Sequence, residues 1–125
     1  MSNAKKTSSH RKLFTVGPNA PFPFTEAYKS LRTNLEFLSA SGNCKTILIT
    51  SSVPGEGKSN VAVNLAITLA DSGKRVVLVD CDMRKFTISR YLHIPRDHIG
   101  ITNTITGKDR TQLANALVNF KDLGI

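Results

Sequence analysis

The sequence has no tryptophan, few aromatic residues and only two cysteines. Cys44 and Cys81 form neither a metal-ligand nor a redox spacing, so we expect two reduced thiols. No apolar run approaches the roughly 18 residues that a transmembrane helix needs, and the N-terminus lacks the apolar region of a signal peptide. We therefore expect a cytoplasmic chain, and its 125 residues predict one domain or part of one.

Acidic residues are scarce, with 9 against 17 lysines and arginines, which gives a formal net charge of +8. Part of this excess lies in the first residues, where no acid precedes Glu26. Residues 1–24 are rich in serine, lysine and proline and predict an extended arm. Such an arm is ordinarily solvated, with contact to anionic lipid as the alternative. Nucleic acid is not expected as a partner, because no aromatic residues interleave with the basic ones.

A glycine-rich segment, SVPGEGKS at residues 52–59, follows the apolar run Thr46–Thr50 and precedes a helical pattern. This order of strand, loop and helix predicts a phosphate-binding loop for a nucleotide, in a variant with Ser52 at the first glycine position. The lysine of such a loop reaches the β- and γ-phosphates, and the serine after it binds Mg²⁺. The predicted nucleotide contacts are Pro54, Gly55, Glu56, Gly57, Lys58, Ser59 and Asn60, with Ser59 also on the metal.

The apolar periodicity predicts helices on both sides of this loop. The first helix is expected from an N-cap at Thr25 to Ala40, with one apolar stripe on Ala27, Leu31, Leu35 and Leu38. The second is expected over 58–72, ended by Gly73. Its wide buried face is Val61, Ala62, Leu65, Ala66, Leu69 and Ala70, and its polar stripe is Asn60, Asn64 and Thr68.

A second apolar run, Arg75–Val79, has the continuous pattern of a strand covered on both faces of a parallel sheet. The fold class is therefore α/β, with a parallel sheet and flanking helices as in P-loop NTPases. Farther along, the pattern predicts a short helix over 87–92 broken by Pro95, a helical turn over 101–106 closed by Gly107, and an apolar side within Thr111–Asn119.

Two acids, Asp80 and Asp82, directly follow the second strand. A carboxylate at this sheet edge can coordinate Mg²⁺, accept a proton from an attacking hydroxyl, or cap the next loop. Two acids beside a lysine and a metal-binding serine are what phosphoryl transfer uses, because phosphates need cations and a nucleophilic hydroxyl needs a base.

These two segments, SVPGEGKS at 52–59 and VLVDCDMR at 77–84, resemble the Walker A and Walker A′ motifs of bacterial tyrosine kinases. Those are cytoplasmic autokinases that regulate capsular and exopolysaccharide synthesis. EAYKSLR at 26–32 resembles the family's E-x-x-R-x-x-R oligomerisation helix, with Lys29 in place of the first arginine. RKF at 84–86 and GITN at 100–103 also resemble family segments, with Phe86 where proline is common.

The resemblance implies roles for these residues. Lys58 and Ser59 would bind ATP and Mg²⁺, Asp80 would be the catalytic base toward a tyrosine hydroxyl, and Asp82 would assist the metal. Subunit contacts in a homo-oligomeric ring would come from Glu26, Lys29 and Arg32. The implied partners are a membrane-embedded activator, which would hold the kinase at the inner face of the plasma membrane, and a phosphotyrosine phosphatase.

Two family features do not occur in the sequence: a Walker B motif and a tyrosine-rich tail. Residues 25–125 are therefore expected to be the N-terminal half of a kinase domain, truncated before Walker B and inactive alone. One alternative is a cargo-positioning or cell-division ATPase of the MinD/ParA type, but those carry a lysine where this chain has Val53 or Pro54. Another is a non-catalytic nucleotide-binding module, which the two missing features favour.

Overall fold

The computed structural model describes residues 14–42, 44–53, 55, 57–82, 84–85, 87–95, 97–98, 100, 102 and 106. Three α-helices lie in this part of the chain: α1 (Phe22–Ser39), α2 (Lys58–Asp71) and α3 (Thr87–Tyr91). The chain divides into two compact units, Met1–Val79 with α1 and α2, and Asp80–Ile125 with α3. None of these described helices is long and apolar enough to cross a bilayer.

Some predictions fall outside the described residues. The first 13 residues of the arm do, as do Gly107 and the segment 111–119. Of the helical turn predicted over 101–106, only Thr102 and Thr106 are described. The Thr106 N–H donates to the Thr102 carbonyl at 3.0 Å, which is the spacing of one α-helical bond.

Helix α1 begins at Phe22, so the prediction of an N-cap at Thr25 is wrong. Pro21 is the N-cap, with φ −56° and ψ 139°. Its carbonyl accepts the N–H groups of Phe24 at 3.1 Å and Thr25 at 3.2 Å. Pro23 fits the first turn because no intrahelical bond is needed from its missing N–H. Pro21 and Pro23, which lie in the segment predicted to be an extended arm, therefore start the helix.

Helix α2 confirms the helix predicted after the loop and ends one residue early, at Asp71. Gly73 has φ +86°, a left-handed conformation that glycine adopts without strain. The Gly73 N–H donates to Ala70 at 2.9 Å, and the Lys74 N–H donates to Leu69 at 3.3 Å. These two bonds form a Schellman motif, so Gly73 ends the helix as predicted.

Two of the three residues in the polar stripe of α2, Asn64 and Thr68, are buried, and Asn60 is half-buried. Asn64 has no exposed surface and Thr68 is 4% exposed, beside the buried apolar Val63, Leu65 and Ala66. The Thr68 hydroxyl donates to the Asn64 carbonyl at 2.8 Å. Arg32 of α1 donates from Nη1 to the Thr68 carbonyl at 3.3 Å. The stripe therefore faces α1 and the chain that precedes it.

The apolar stripe predicted on α1 is mostly exposed instead of buried. Leu31 is 36% and Leu38 71% exposed, Ala27 is exposed too, and Leu35 alone is half-buried. The inward face carries Phe24 and Arg32. Helix α1 takes this orientation because the Thr68 carbonyl of α2 accepts a hydrogen bond from Arg32. A partly buried guanidinium needs such an acceptor.

Neither predicted strand, Thr46–Thr50 nor Arg75–Val79, forms a strand among the described residues. Leu48 is 88% and Val77 68% exposed, so the second segment is not covered on both faces. Both segments border a groove of about 680 Å³ that is also lined by one side of α2: Ala62, Leu65, Ala66 and Leu69. A sheet of two strands alone is only marginally stable in water. Three or more strands with an apolar face, or packing against a helix, give independent stability.

In the second unit, α3 confirms the helix predicted over 87–92. His93, with φ 55°, follows the helix in a left-handed conformation. Its N–H donates to Arg90 at 3.3 Å, and the Ile94 N–H donates to Ser89 at 2.9 Å. This is again a Schellman motif, so His93 ends the helix before Pro95 is reached.

Candidate functional site: the phosphate-binding loop

The backbone of the loop turns at two glycines in the left-handed region. Gly55 has φ +84° and Gly57 has φ +89°. A Cβ atom on Gly57 would meet no other atom within 4 Å, so the backbone angle and not crowding calls for glycine here. Gly57 is also the N-cap of α2. The glycines therefore deliver the chain into α2, as the loop motif predicts.

The N-cap of α2, Gly57, has no side chain that could cap the helix. Among the described residues there is no side-chain cap hydrogen bond, and no acidic residue occupies the first turn. The Val61 N–H is the first to bond within the helix, to Gly57 at 3.0 Å, so the N–H groups of Lys58, Ser59 and Asn60 precede that bond. Such N–H groups, together with the positive end of the helix dipole, bind phosphate oxygens.

The side chains after the glycines are placed for a phosphate ligand. Lys58 is exposed and makes no ion pair within the part of the chain that the structure describes. Ser59 and Asn60 are half-buried on the first turn of α2. The predicted contacts Pro54 and Glu56 lie outside the described residues. Backbone N–H groups, an ammonium and a hydroxyl are the donor set that fits the phosphates and the metal of Mg·ATP.

The predicted acids belong to the second unit. Asp82 accepts the N–H groups of Arg84 and Lys85 on Oδ1, both at 3.1 Å, and so caps the loop before α3. The Asp82 N–H donates to Oδ1 of Asp80 at 3.1 Å. Oδ2 of Asp80 is buried and accepts no hydrogen bond from the described residues. Asp80 therefore keeps one oxygen for a proton or a cation, whereas Asp82 fixes the loop around it.

The three predicted oligomer residues are divided between the surface and the interior. Lys29 and Glu26 pair at 2.9 Å on the exposed side of α1. Arg32 points inward to the Thr68 carbonyl, and its Nε is buried without a partner. The guanidinium therefore already contributes to the packing of α1 on α2. Glu26 and Lys29 are the two that remain on the surface.

Asn64 is the residue near the loop that the sequence pattern missed. It lies one turn after Asn60, and its Nδ2 donates to the Asn60 carbonyl at 2.9 Å and to Asn60 Oδ1 at 2.8 Å. The only signal was its position four residues after a predicted nucleotide contact. Its burial depends on residues far away in the sequence, which periodicity does not reveal.

Residues 43–116, more than half of the chain, match the model of the ParA family, described as NUBPL iron-transfer P-loop NTPases. The chain is 39% identical over 101 residues to tyrosine-protein kinase YwqD of Bacillus subtilis, which is 81% of this chain and 42% of that protein. It is 43% identical over 60 residues to tyrosine-protein kinase wzc of Salmonella typhimurium, covering 48% of this chain and 8% of the relative.

A third relative is the succinoglycan biosynthesis transport protein ExoP of Rhizobium meliloti, 32% identical over 103 residues, with 82% of this chain and 13% of that protein covered. The chain thus spans less than half the length of each of these relatives. No solved structure matches it significantly. The chain belongs to the ParA family of P-loop NTPases, and the proteins it resembles include bacterial tyrosine-protein kinases.

Proposed function

We propose that the chain is the nucleotide-binding part of an ATP-dependent tyrosine autokinase that regulates capsular or exopolysaccharide synthesis. The observation that carries this proposal is the N-terminus of α2, where the N-cap is the left-handed Gly57 and no side-chain cap is found among the described residues. Lys58 follows directly and makes no ion pair with a described residue. Two relatives are named tyrosine-protein kinases and a third is named a succinoglycan biosynthesis transport protein. These names support the reaction and the process.

Within the proposed site, the first turn of α2 holds the phosphates. The N–H groups before Val61 donate to phosphate oxygens, and the Lys58 ammonium binds the β- and γ-phosphates. The Ser59 hydroxyl would hold Mg²⁺, which would supply neutralisation of the charge on the phosphoryl oxygens. These are binding and orienting roles, and they leave the proton of the acceptor hydroxyl to another group.

That group is Asp80. Its Oδ1 is held by the Asp82 N–H, and its Oδ2 has no partner in the described structure. We propose that Oδ2 takes the proton of an incoming tyrosine hydroxyl, as a general base does. Asp82 would orient Asp80 through this hydrogen bond and would assist Mg²⁺ when the metal is bound.

The second candidate function is an ATPase without a protein acceptor, which the match to the ParA family model favours. A tyrosine-rich peptide, and the same peptide with phenylalanine at each tyrosine, distinguish the two. A longer version of the protein, extended to the length of a relative such as YwqD, is incubated with γ-labelled ATP and each peptide. The kinase proposal expects label in the tyrosine peptide alone. Release of labelled phosphate with neither peptide labelled would contradict the kinase proposal and support the ATPase.

We also propose that Thr46–Thr50 and Arg75–Val79 become neighbouring strands of a parallel sheet when further strands cover them. The exposed Leu48 and Val77, and the apolar groove against α2, support this. Amide hydrogen exchange followed by mass spectrometry tests it. In the longer protein, both segments should exchange more slowly than in the 125-residue chain. Equal exchange in the two proteins would contradict the sheet.

For partners, we propose a homo-oligomer formed through Glu26, Lys29 and Arg32, a membrane-embedded activator and a phosphotyrosine phosphatase. The protein would then work at the inner face of the plasma membrane. These assignments rest on the resemblance of residues 26–32 and of the two loop motifs to bacterial tyrosine kinases.

Charge reversal on α1 tests the oligomer. Glu26→Lys and Arg32→Glu, each made separately, should lower the mass of the longer protein in light scattering, because each single reversal places a like charge opposite its former partner at the interface. Because Arg32 also bonds to Thr68, thermal unfolding of the Arg32→Glu variant must be compared with that of the parent. Asn34→Lys, an exposed change on the same helix, is the control. An unchanged mass would mean that these residues make no subunit contact.

A further inference from the structure

A short segment before α1, Phe14–Val16, is fastened to α2 by one buried side chain. We call this segment the N-terminal strap. Asn64 accepts the Val16 N–H on Oδ1 at 2.6 Å, and its Nδ2 donates to the Phe14 carbonyl at 2.7 Å. The carboxamide thus bonds to the strap as a peptide group of a neighbouring strand would. Val16 is 6% exposed and Asn64 not at all, so the contact excludes water.

The strap is also held by aromatic packing against α1. Phe14 lies edge-on to Phe24, with ring centroids 4.8 Å apart, and Phe24 contacts Tyr28 at 5.2 Å. Burial raises the pKa of Tyr28, and a hydrogen bond with Asn64 acts in the opposite direction. The strap therefore bridges both helices of the first unit, with Asn64 at the junction.

The same amide group reaches toward the phosphate-binding loop. Nδ2 of Asn64 has two hydrogens, shared among the Phe14 carbonyl and the two oxygens of Asn60. Asn60 directly follows Ser59. If the strap leaves, the buried Oδ1 of Asn64 loses its Val16 partner, and a buried polar atom without a partner is costly. The amide would then reorient, and its bonds to Asn60 would change with it.

We propose that docking of the N-terminal strap and binding of nucleotide are coupled through Asn64. Asn64 is a positioning residue that keeps Asn60 in one arrangement beside Ser59 while the strap is docked. The docked strap therefore favours nucleotide binding, and by reciprocity bound nucleotide favours docking. The coupling rests on the nucleotide site of the proposed function.

Proteolysis reports on the strap without any enzymatic activity of the protein. Trypsin cleavage after Lys12 requires residues 13–15 to enter the protease cleft, so docking slows it. Val16→Asp places a charge in the buried contact and releases the strap without altering α2. We expect faster cleavage after Lys12 in this variant. We also expect weaker Mg·ADP binding, by about fivefold, the lower end of typical coupling between sites.

The reciprocal experiment varies the nucleotide and measures cleavage after Lys12. Saturating Mg·ADP should slow cleavage of the unaltered chain by about fivefold. Asn60→Ala keeps both hydrogen bonds between Asn64 and the strap but removes the bond from Asn64 to Asn60 Oδ1, so saturating Mg·ADP should protect this variant less. Asn34→Ala, an exposed change on α1, is the matched control and should behave as the parent.

The outcomes separate the coupling from the nucleotide site itself. Cleavage after Lys12 that is no faster in Val16→Asp overturns the docking. Mg·ADP affinity that is equal in Val16→Asp and the parent, with helix content unchanged by circular dichroism, overturns the coupling alone. If the unaltered chain does not bind Mg·ADP, the proposed function fails and the coupling fails with it.

Discussion

Asp80→Asn is expected to lower tyrosine autophosphorylation by about 10²–10⁴-fold, the usual contribution of a general base. Asparagine has the size of aspartate and can still accept the Asp82 N–H, so the loop before α3 should be kept. It cannot take a proton from a tyrosine hydroxyl at the position of the unpartnered Oδ2. The loss should therefore fall on the chemical step.

The measurement is the initial rate of tyrosine labelling from γ-labelled ATP in a longer version that spans the length of the relatives. Asp97→Asn, which changes an exposed acid of the second unit, is the control. Mg·ADP affinity is measured alongside. If Asp80 were a direct metal ligand instead, Asp80→Asn would weaken Mg·ADP as well. An unchanged labelling rate would remove Asp80 from the mechanism.

Lys58→Ala is expected to weaken Mg·ADP binding by about tenfold to a hundredfold. A hydrogen bond to a charged group contributes roughly 1.5–3 kcal/mol, and each 1.4 kcal/mol is about tenfold in affinity. Lys58 makes no ion pair with any other described residue, so its removal leaves no unpaired protein charge behind. The loss should therefore fall on the ligand and not on the stability of the fold.

Isothermal titration of the 125-residue chain measures this effect, with circular dichroism to check the helices. Lys45→Ala, another exposed lysine of the first unit, is the control and should bind as the parent does. Equal affinity of Lys58→Ala and the parent would mean that the loop is a glycine-rich turn without a phosphate-binding role.

The loop and α2 could be predicted from the sequence because their signals are local. Two glycines at fixed offsets, a Lys-Ser pair and apolar periodicity lie within one continuous stretch of residues, and Gly73 marks its end. The structure places left-handed angles at Gly55, Gly57 and Gly73, where the sequence pattern needs them. Local rules suffice when the backbone geometry is set by neighbours in the chain.

The inward face of α1 and the burial of Asn64 could not be predicted in this way. Asn64 is buried by Phe14 and Val16, which lie 50 and 48 residues away in the sequence. A polar residue on a helix is expected to face solvent unless a partner satisfies it, and the sequence does not reveal that partner. The same holds for Arg32, which resembled a surface residue and instead contacts Thr68.

The two acids after Arg75–Val79 show what a sequence motif can predict and what it cannot. Their spacing predicted a pair at one site, but it left open whether they act in chemistry or only cap a loop. The hydrogen bonds distinguish them, because Asp82 accepts two backbone N–H groups and Asp80 keeps an unpartnered oxygen. A one-dimensional pattern contains no information on which carboxylate oxygen is occupied.

The fate of the γ-phosphate tests the central proposal most directly. The longer protein is incubated with Mg²⁺ and γ-labelled ATP, and label on tyrosine is compared with label released as inorganic phosphate. The tyrosine-kinase proposal predicts phosphotyrosine in the protein, strongly reduced by Lys58→Ala and by Asp80→Asn. Labelled inorganic phosphate with no phosphotyrosine, at a rate that depends on Lys58, would contradict it and identify an ATPase.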